Sequence, residues 1–437
     1  MPTSAIPASE HRIVIVGGGA GGLELATRLG DSLTDSKIQV VLVDASLTHI
    51  WKPLLHEVAA GSLDTGNNEI DYLAHARQHG FQFHLGSMES LDRQQKQIWL
   101  NPIVDDTGQR IAERRAIGYH TLVMAIGSLV NDFHTPGVAE HALSLNSVDD
   151  ARNLHKHVLA ACLRMNEGVP TQTDIAIVGG GATGVELAAE LHQTLQEYAR
   201  YTDAKASGQS RITLIEAGKD ILAHLPDALR SKVKAELQAK PIRLMTETQV
   251  KAVQADGVQT ANGGFIGAQI VVWAAGVKGP DLLTRLDGLD CNKINQLVVR
   301  PTLQTTRDEH IFALGDCAAF TPKGQDKPIP PLAQAAHQQA LYLARVLPLH
   351  VQGQTTLPEF VYKSHGALIS LGTDKAVGNV VGRLTGHRFE VDGWVARWSY
   401  RALYRGYLAG LHGWLRMVLT TLGDWLTQST KSRVKLH

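Results

Sequence analysis

Cysteine is scarce in this chain of 437 residues: there are three, Cys162, Cys291 and Cys317, with no CxxC pair. That excludes a disulfide framework and a sequence-local dithiol, and it leaves no metal-ligand cluster, so no metal site is expected. A reducing compartment fits this usage. No run reaches 18 uninterrupted apolar residues, so no membrane-crossing helix is expected. Neither sign of charge dominates, with 42 Lys plus Arg against 42 Asp plus Glu. A nucleic-acid partner therefore has no support in composition. The opening MPTSAIPASEHR lacks an apolar stretch, and no signal peptide is expected. At about 100–200 residues per domain, the length predicts two or three domains, each able to bury a core.

Glycine is plentiful, at 41 residues, and its placement is the informative feature. Residues 12–22 read RIVIVGGGAGG and residues 174–184 read DIAIVGGGATG. Each is a β-branched run, a glycine cluster, then a helical pattern, LELATRL or VELAAEL. Strand, tight turn and helix make the opening of a βαβ unit. Two such openings predict an α/β protein with two Rossmann-like dinucleotide-binding domains. Further strands are predicted at 38–44, 121–128, 211–217, 270–277 and 311–318, and helices at 69–80 and within 327–347.

In the first turn, Gly17 makes the bend, Gly19 lets the backbone approach a pyrophosphate, and Gly22 allows helix and strand to pack closely. Asp44, 22 residues past Gly22, ends the next strand, where an acid accepts hydrogen bonds from a ribose. The second turn repeats this with Gly179, Gly181, Gly184 and Glu216. Its acid lies 32 residues past Gly184, and a longer polar connection around YTDAKASGQS absorbs the excess. An acid there favours a free 2′-hydroxyl, hence NADH over NADPH.

Together with Ala125-Ile126-Gly127, Ala275-Gly276 and the late Leu314-Gly315-Asp316, these turns resemble the flavoproteins with two dinucleotide-binding domains. The resemblance covers nearly the whole chain. It implies an FAD-binding domain in two pieces, 1–150 and 281–360, split by an NADH-binding domain, 151–280, and followed by a C-terminal region, 361–437. Non-covalent FAD would be held by the first turn and Asp44, by Lys52, Pro53, Ala125 and Gly127, and by Gly315 and Asp316. NADH, as substrate, would be held by the second turn with Glu216, Ala275 and Gly276.

Two segments narrow the resemblance. WKPLLHEVAAGSLD (51–64) and PLAQAAHQQA (331–340) resemble the type II NADH dehydrogenases, single-subunit NADH:quinone oxidoreductases that do not pump protons. The resemblance implies that Ala333-Gln334-x-Ala336-x-Gln338 lies at the quinone end of the flavin. Gln334 and Gln338, at i and i+4, share a helix face, and neutral amides suit quinone carbonyls in an apolar site. It also implies that Glu186 lies between nicotinamide and flavin and that Lys363 approaches the quinone. His337 and His56 are open to two readings, proton-donating groups or structural histidines. The expected reaction passes a hydride from NADH to FAD and two electrons to ubiquinone or menaquinone. Rival readings are a sulfide:quinone or other pyridine-nucleotide flavin reductase, which the cysteines disfavour, and a membrane-attached NADH-binding redox sensor.

From Trp394 onward, Tyr400, Leu403, Tyr407, Leu411, Trp414, Val418, Leu422 and Trp425 step by three or four, and Arg397, Arg401, Arg405, His412 and Arg416 recur on another face. Four of the seven tryptophans lie in this tail. A basic amphipathic helix of this kind suits the plane of an anionic bilayer; packing on the chain's own core or on a second subunit is the other reading. Gly406, Gly410 and Gly413 are expected to break it into two helices. The quinone tips the reading toward a membrane-docking region on a peripheral protein of the cytoplasmic face of the inner (plasma) membrane, with a homodimer compatible.

Overall fold

The computed structural model describes residues 11–33, 37–63, 65–166, 173–202, 210–372, 376–381, 388–413, 417–418 and 421. The helices used below are α1 (Ala20–Ser32), α2 (Leu55–Ala60), α3 (Ala182–Thr202), α4 (Ala333–Val351) and α5 (Gly393–His412). The chain forms two compact units. The first comprises Met1–Trp51, Glu69–Leu129 and Val277–Lys363; the second comprises Lys52–Asn68, Val130–Gly276 and Ser364–His437.

The first unit is built on a five-stranded sheet in the order Ile311–Ala313, Thr121–Met124, His11–Val16, Ile38–Asp44, Gln82–Leu85. Every pairing is parallel. Ile13, Val14 and Ile15 are wholly buried, because crossover helices cover both faces of a parallel sheet, and this explains their uninterrupted apolar run. Leu23, Leu25 and Leu29 on α1 are also wholly buried, each stabilising the fold by about 1.5–3 kcal/mol. Helices α1 and α4 pack against each other. Parallel strands put all their carboxyl ends at one edge, where ligands of such sheets bind.

The second unit holds a four-stranded parallel sheet, Ile242–Met245, Ile212–Ile215, Ile175–Val178, Ile270–Trp273. Residues 52–68 belong to it because α2 packs on α3 and on the helix Val148–Asn166. The contact is close: Thr194 donates to the Ala60 carbonyl at 2.7 Å, and a Cβ on Gly61 would lie 2.3 Å from the His155 ring. The grouping of 52–68 thus follows side-chain packing, and that of 130–150 follows main-chain pairing, Leu143 donating to Val271 and accepting from Trp273 at 2.8 Å each; neither follows chain order.

An antiparallel sheet, Gly366–Ser370, Ala376–Val381 and Arg388–Asp392, carries α5. Of the expected glycine breaks, the one at Gly413 is present, its φ of +78° ending α5, while those at Gly406 and Gly410 are corrected, because α5 runs through both. Ala396, Tyr407 and Leu411 are buried against the chain itself. The side chains of Tyr400 and Leu403, and residues Trp414, Leu422 and Trp425, lie outside the described residues. Among the described residues no helix is long and apolar enough to cross a membrane.

Candidate functional site

In the first unit the carboxyl ends of the strands run into Gly17, Asp44, Ala125–Gly127 and Gly315–Asp316. Gly17 has φ +102°, and a Cβ there would lie 2.4 Å from the Ala125 carbonyl oxygen. A Cβ on Gly22 would sit 1.9 Å from the Gly17 oxygen, so helix and strand are in contact through the missing side chain. Nothing lies within 4 Å of a Cβ built on Gly19, so the backbone there faces open space. Among the described residues no side chain caps α1, and its first turn holds no acid. Its amides and positive dipole end are therefore kept for an anion.

Asp44 accepts the Gly18 amide at 2.6 Å and the Ser46 amide at 2.8 Å. Burial pushes its carboxyl above the ordinary range, and these amides oppose the shift. Tyr72 donates to the Gly18 carbonyl at 2.7 Å, and beside Gly18 burial holds His49 down to about 4, hence neutral. Gly127 and Gly315 both have positive φ. Ser128 donates to Asp316 at 2.8 Å, joining two strand ends. The open glycine, the uncapped helix and the ring of turns at one edge fit a dinucleotide such as FAD.

The second unit repeats the design. Gly179 has φ +116° against Ala274, a Cβ on Gly184 would lie 2.0 Å from the Gly179 oxygen, and Gly181 is open. Glu216 accepts the Gly180 amide at 2.6 Å and the Gly218 amide at 2.7 Å, matching Asp44. Ala275 and Gly276 close the Ile270–Trp273 strand, Gly276 with φ +65°.

Glu186, two residues past Gly184, is buried; its Oε1 accepts the Ser370 amide at 2.9 Å and its Oε2 lies 3.6 Å from His56 Nδ1. Burial pushes its carboxyl up to about 8; the Ser370 amide opposes that, while Glu57 and Glu190 add to it. Lys52 and Pro53 open a short 3₁₀ turn before α2 and group with this unit.

Helix α4 begins at Ala333, so Gln334, His337 and Gln338 fall in its first two turns. Gln334 is half-buried. Gln338 clips the main chain of Lys363, donating to its carbonyl at 2.7 Å and accepting its amide at 3.0 Å. Two residues in this region were not singled out from sequence. Gln339, buried, accepts the Gly315 amide at 2.7 Å and fixes α4 to the Gly-Asp turn. Glu24, buried in α1, meets His337 Nδ1 at 2.6 Å. The only sequence signal for Glu24 was its equivalence to Glu186 in the repeat.

Cys162 and Cys317 are free and buried. Burial pushes their thiols up to about 11 and about 12, which keeps them protonated and unsuited to thiolate chemistry.

The family of pyridine nucleotide-disulphide oxidoreductases matches residues 11–340. The chain is 40% identical to the type II NADH:quinone oxidoreductase of Haemophilus influenzae over 97% of this chain and 99% of that protein. It is 31% identical to the demethylphylloquinone reductase NdbB of Synechocystis over 95% of this chain and 97% of that protein. A solved structure, NDH2 from Plasmodium falciparum in complex with NADH, superposes with a TM-score of 0.81 at 18% identity, over 98% of this chain and 100% of that one, and shows the same fold. Two glycine turns each closed by an acid, the uncapped helix and the full-length likeness to the Haemophilus protein lead to one conclusion: the chain belongs to the pyridine nucleotide-disulphide oxidoreductase family and, within it, to the type II NADH:quinone oxidoreductases.

Proposed function

We propose that this chain oxidises NADH and reduces a membrane quinone by way of non-covalently bound FAD, without pumping protons. The observation that carries the reading is the pairing of two complete dinucleotide turns, one ending in Asp44 and one in Glu216, in a chain 40% identical to a type II NADH:quinone oxidoreductase. The first turn, Ala125, Gly127, Gly315 and Asp316, with Lys52 and Pro53, are the residues for FAD. The second turn, Glu216, Ala275 and Gly276 are those for NADH. When bound, FAD supplies the two-electron relay, taking hydride from NADH and giving electrons to the quinone.

The protein's part is orientation and electrostatics. Backbone amides at Gly19 and Gly181 would receive the pyrophosphates, and Asp44 and Glu216 would accept hydrogen bonds from the ribose hydroxyls. Burial pushes the Glu186 carboxyl up to about 8, which favours its neutral form and would limit the negative charge it brings to the nicotinamide. On this reading Gln334 and His337, in the first two turns of α4, would meet the quinone, and Gln338 would act through its clip on Lys363. The buried neutral thiols disfavour a sulfide-oxidising reading.

We also infer peripheral attachment to the cytoplasmic face of the plasma membrane through the C-terminal region, 361–437, and assembly as a homodimer. The basic and tryptophan-rich composition of residues 394–425 supports this. The test is anaerobic stopped-flow on the membrane-free protein. NADH should bleach the flavin band quickly, NADPH much more slowly, and a short-chain ubiquinone should restore it. A flavin left oxidised by NADH, or a reduced flavin indifferent to quinone, overturns the proposal.

A further inference from the structure

We propose that Glu24 and His337 form a proton-delivery dyad for the quinone, with His337 the donor and Glu24 the positioning residue; this rests on the quinone-reducing reading above. Glu24 is 1% exposed, on the helix that follows the first glycine turn. Its Oε2 lies 2.6 Å from His337 Nδ1, and its Oε1 is held by Arg28 at 2.9 Å. Both carboxylate oxygens are thus committed, one to each neighbour. A carboxylate only accepts hydrogen bonds, so Nδ1 carries its hydrogen and Nε2 is the ring nitrogen left for exchange. The His337 side chain is 42% exposed, which gives it access to solvent protons.

Its placement next to the flavin-binding elements is fixed by its neighbour Ala336. A Cβ on Gly21 would lie 3.1 Å from the Ala336 carbonyl oxygen, and one on Gly315 would lie 3.5 Å from the Ala336 Cβ. One turn of α4 therefore touches both the dinucleotide helix and the Gly-Asp turn, and His337 is the next residue along. Gln334 lies three residues earlier on the same face. An isolated exposed histidine would sample many rotamers; a 2.6 Å bond to a buried carboxylate removes that freedom.

The overall reaction is NADH + H⁺ + quinone → NAD⁺ + quinol. NADH supplies both electrons and one proton as hydride. The other proton leaves His337 Nε2 for a quinone oxygen, so an N–H bond breaks and an O–H bond forms. The neutral imidazole then takes up the H⁺ that the equation draws from solution. Glu24 holds Nδ1 throughout and exchanges nothing.

Ferricyanide separates this role from a structural one, because it takes electrons from reduced flavin without taking up protons. The experiment uses the flavin-loaded full chain with Glu24→Gln, His337→Gln and His337→Ala, assayed with NADH and either short-chain ubiquinone or ferricyanide. His337→Gln should lose about a hundredfold in quinone kcat and Glu24→Gln at least tenfold, with ferricyanide kcat and NADH KM within twofold of wild type. Added imidazole should restore part of the quinone rate of His337→Ala. Unchanged quinone kcat in the His337 variants, or parallel loss with both acceptors, overturns the dyad while leaving the enzyme assignment intact. A wild type that reduces ferricyanide but not quinone overturns both. If Glu24→Gln fails to retain flavin, the two variants at the solvent-accessible His337 decide.

Discussion

Gln338 and Lys363 are joined twice, the side-chain amide of one pairing with the main-chain carbonyl and amide of the other at 2.7 and 3.0 Å. This is the pattern of a strand pairing made by a side chain, and it anchors the segment leading out of the first unit to α4. Glutamine alone has the donor, the acceptor and the reach. Gln338→Glu loses the donor and Gln338→Asn is a methylene too short. Each should cost about 1 kcal/mol in denaturant unfolding, the ordinary net worth of such bonds near the surface. Quinone KM should rise severalfold while NADH KM stays put. Unchanged quinone KM in both variants would show that Lys363 does not depend on the clip.

Glu186 makes stability depend on pH. Its folded carboxyl titrates near 8, against an ordinary value of 4.5, so between those values the folded state binds the extra proton. The stabilisation is complete below about pH 4.5 and is lost as pH rises through about 8, with a slope of up to about 1.4 kcal/mol per pH unit. Glu186→Gln, which keeps a neutral side chain able to accept the Ser370 amide, should flatten that slope. Denaturant melts of both proteins at half-unit steps from pH 5 to pH 9 measure it. Identical slopes would mean that another group carries the pH dependence.

The glycine turns were legible in the sequence because each glycine answers a local demand. Gly17 and Gly179 need positive φ, and Gly22 and Gly184 need to lack a Cβ. Asp44 and Glu216 were legible because a strand end fixes their distance from the turn. The Glu24–His337 bond was not legible: it spans 313 residues and depends on how two helices cross. Gln339 was hidden beside the more recognisable Gln338. In the tail, periodicity established an apolar face but not what covers it. Tyr407 and Leu411 are covered by the chain itself, and packing on a sheet offsets the roughly 1 kcal/mol that each of Gly406 and Gly410 costs a helix.

Glu216 should set the choice of nicotinamide cofactor. Its two oxygens are held by the Gly180 and Gly218 amides, which fix the carboxylate where a ribose 2′-hydroxyl would meet it and a 2′-phosphate would be repelled. Glu216→Gln keeps one acceptor oxygen but removes the charge. NADH KM should rise about tenfold and NADPH KM should fall, narrowing the ratio by one to two orders of magnitude, on the scale of a charged hydrogen bond. Steady-state kinetics with both nucleotides test this. A preserved ratio would place the discrimination elsewhere in the second unit.

Gly19 and Gly22, three residues apart, should fail in different ways when given a methyl group. In Gly22→Ala the new Cβ would lie 1.9 Å from the Gly17 oxygen, a backbone atom with no freedom to move aside. Strand and helix must separate, and the protein should misfold or melt far below wild type whether or not flavin is supplied. In Gly19→Ala the new Cβ meets nothing within 4 Å. The fold should survive with a normal circular dichroism spectrum, yet the methyl occupies the space a pyrophosphate needs, so flavin content should collapse. The equivalent Gly181→Ala is the internal control: it should keep FAD and lose NADH binding, because its open space belongs to the second turn. If Gly19→Ala purifies with a full complement of flavin, the first turn does not hold the pyrophosphate, and the assignment of the two turns must be redrawn.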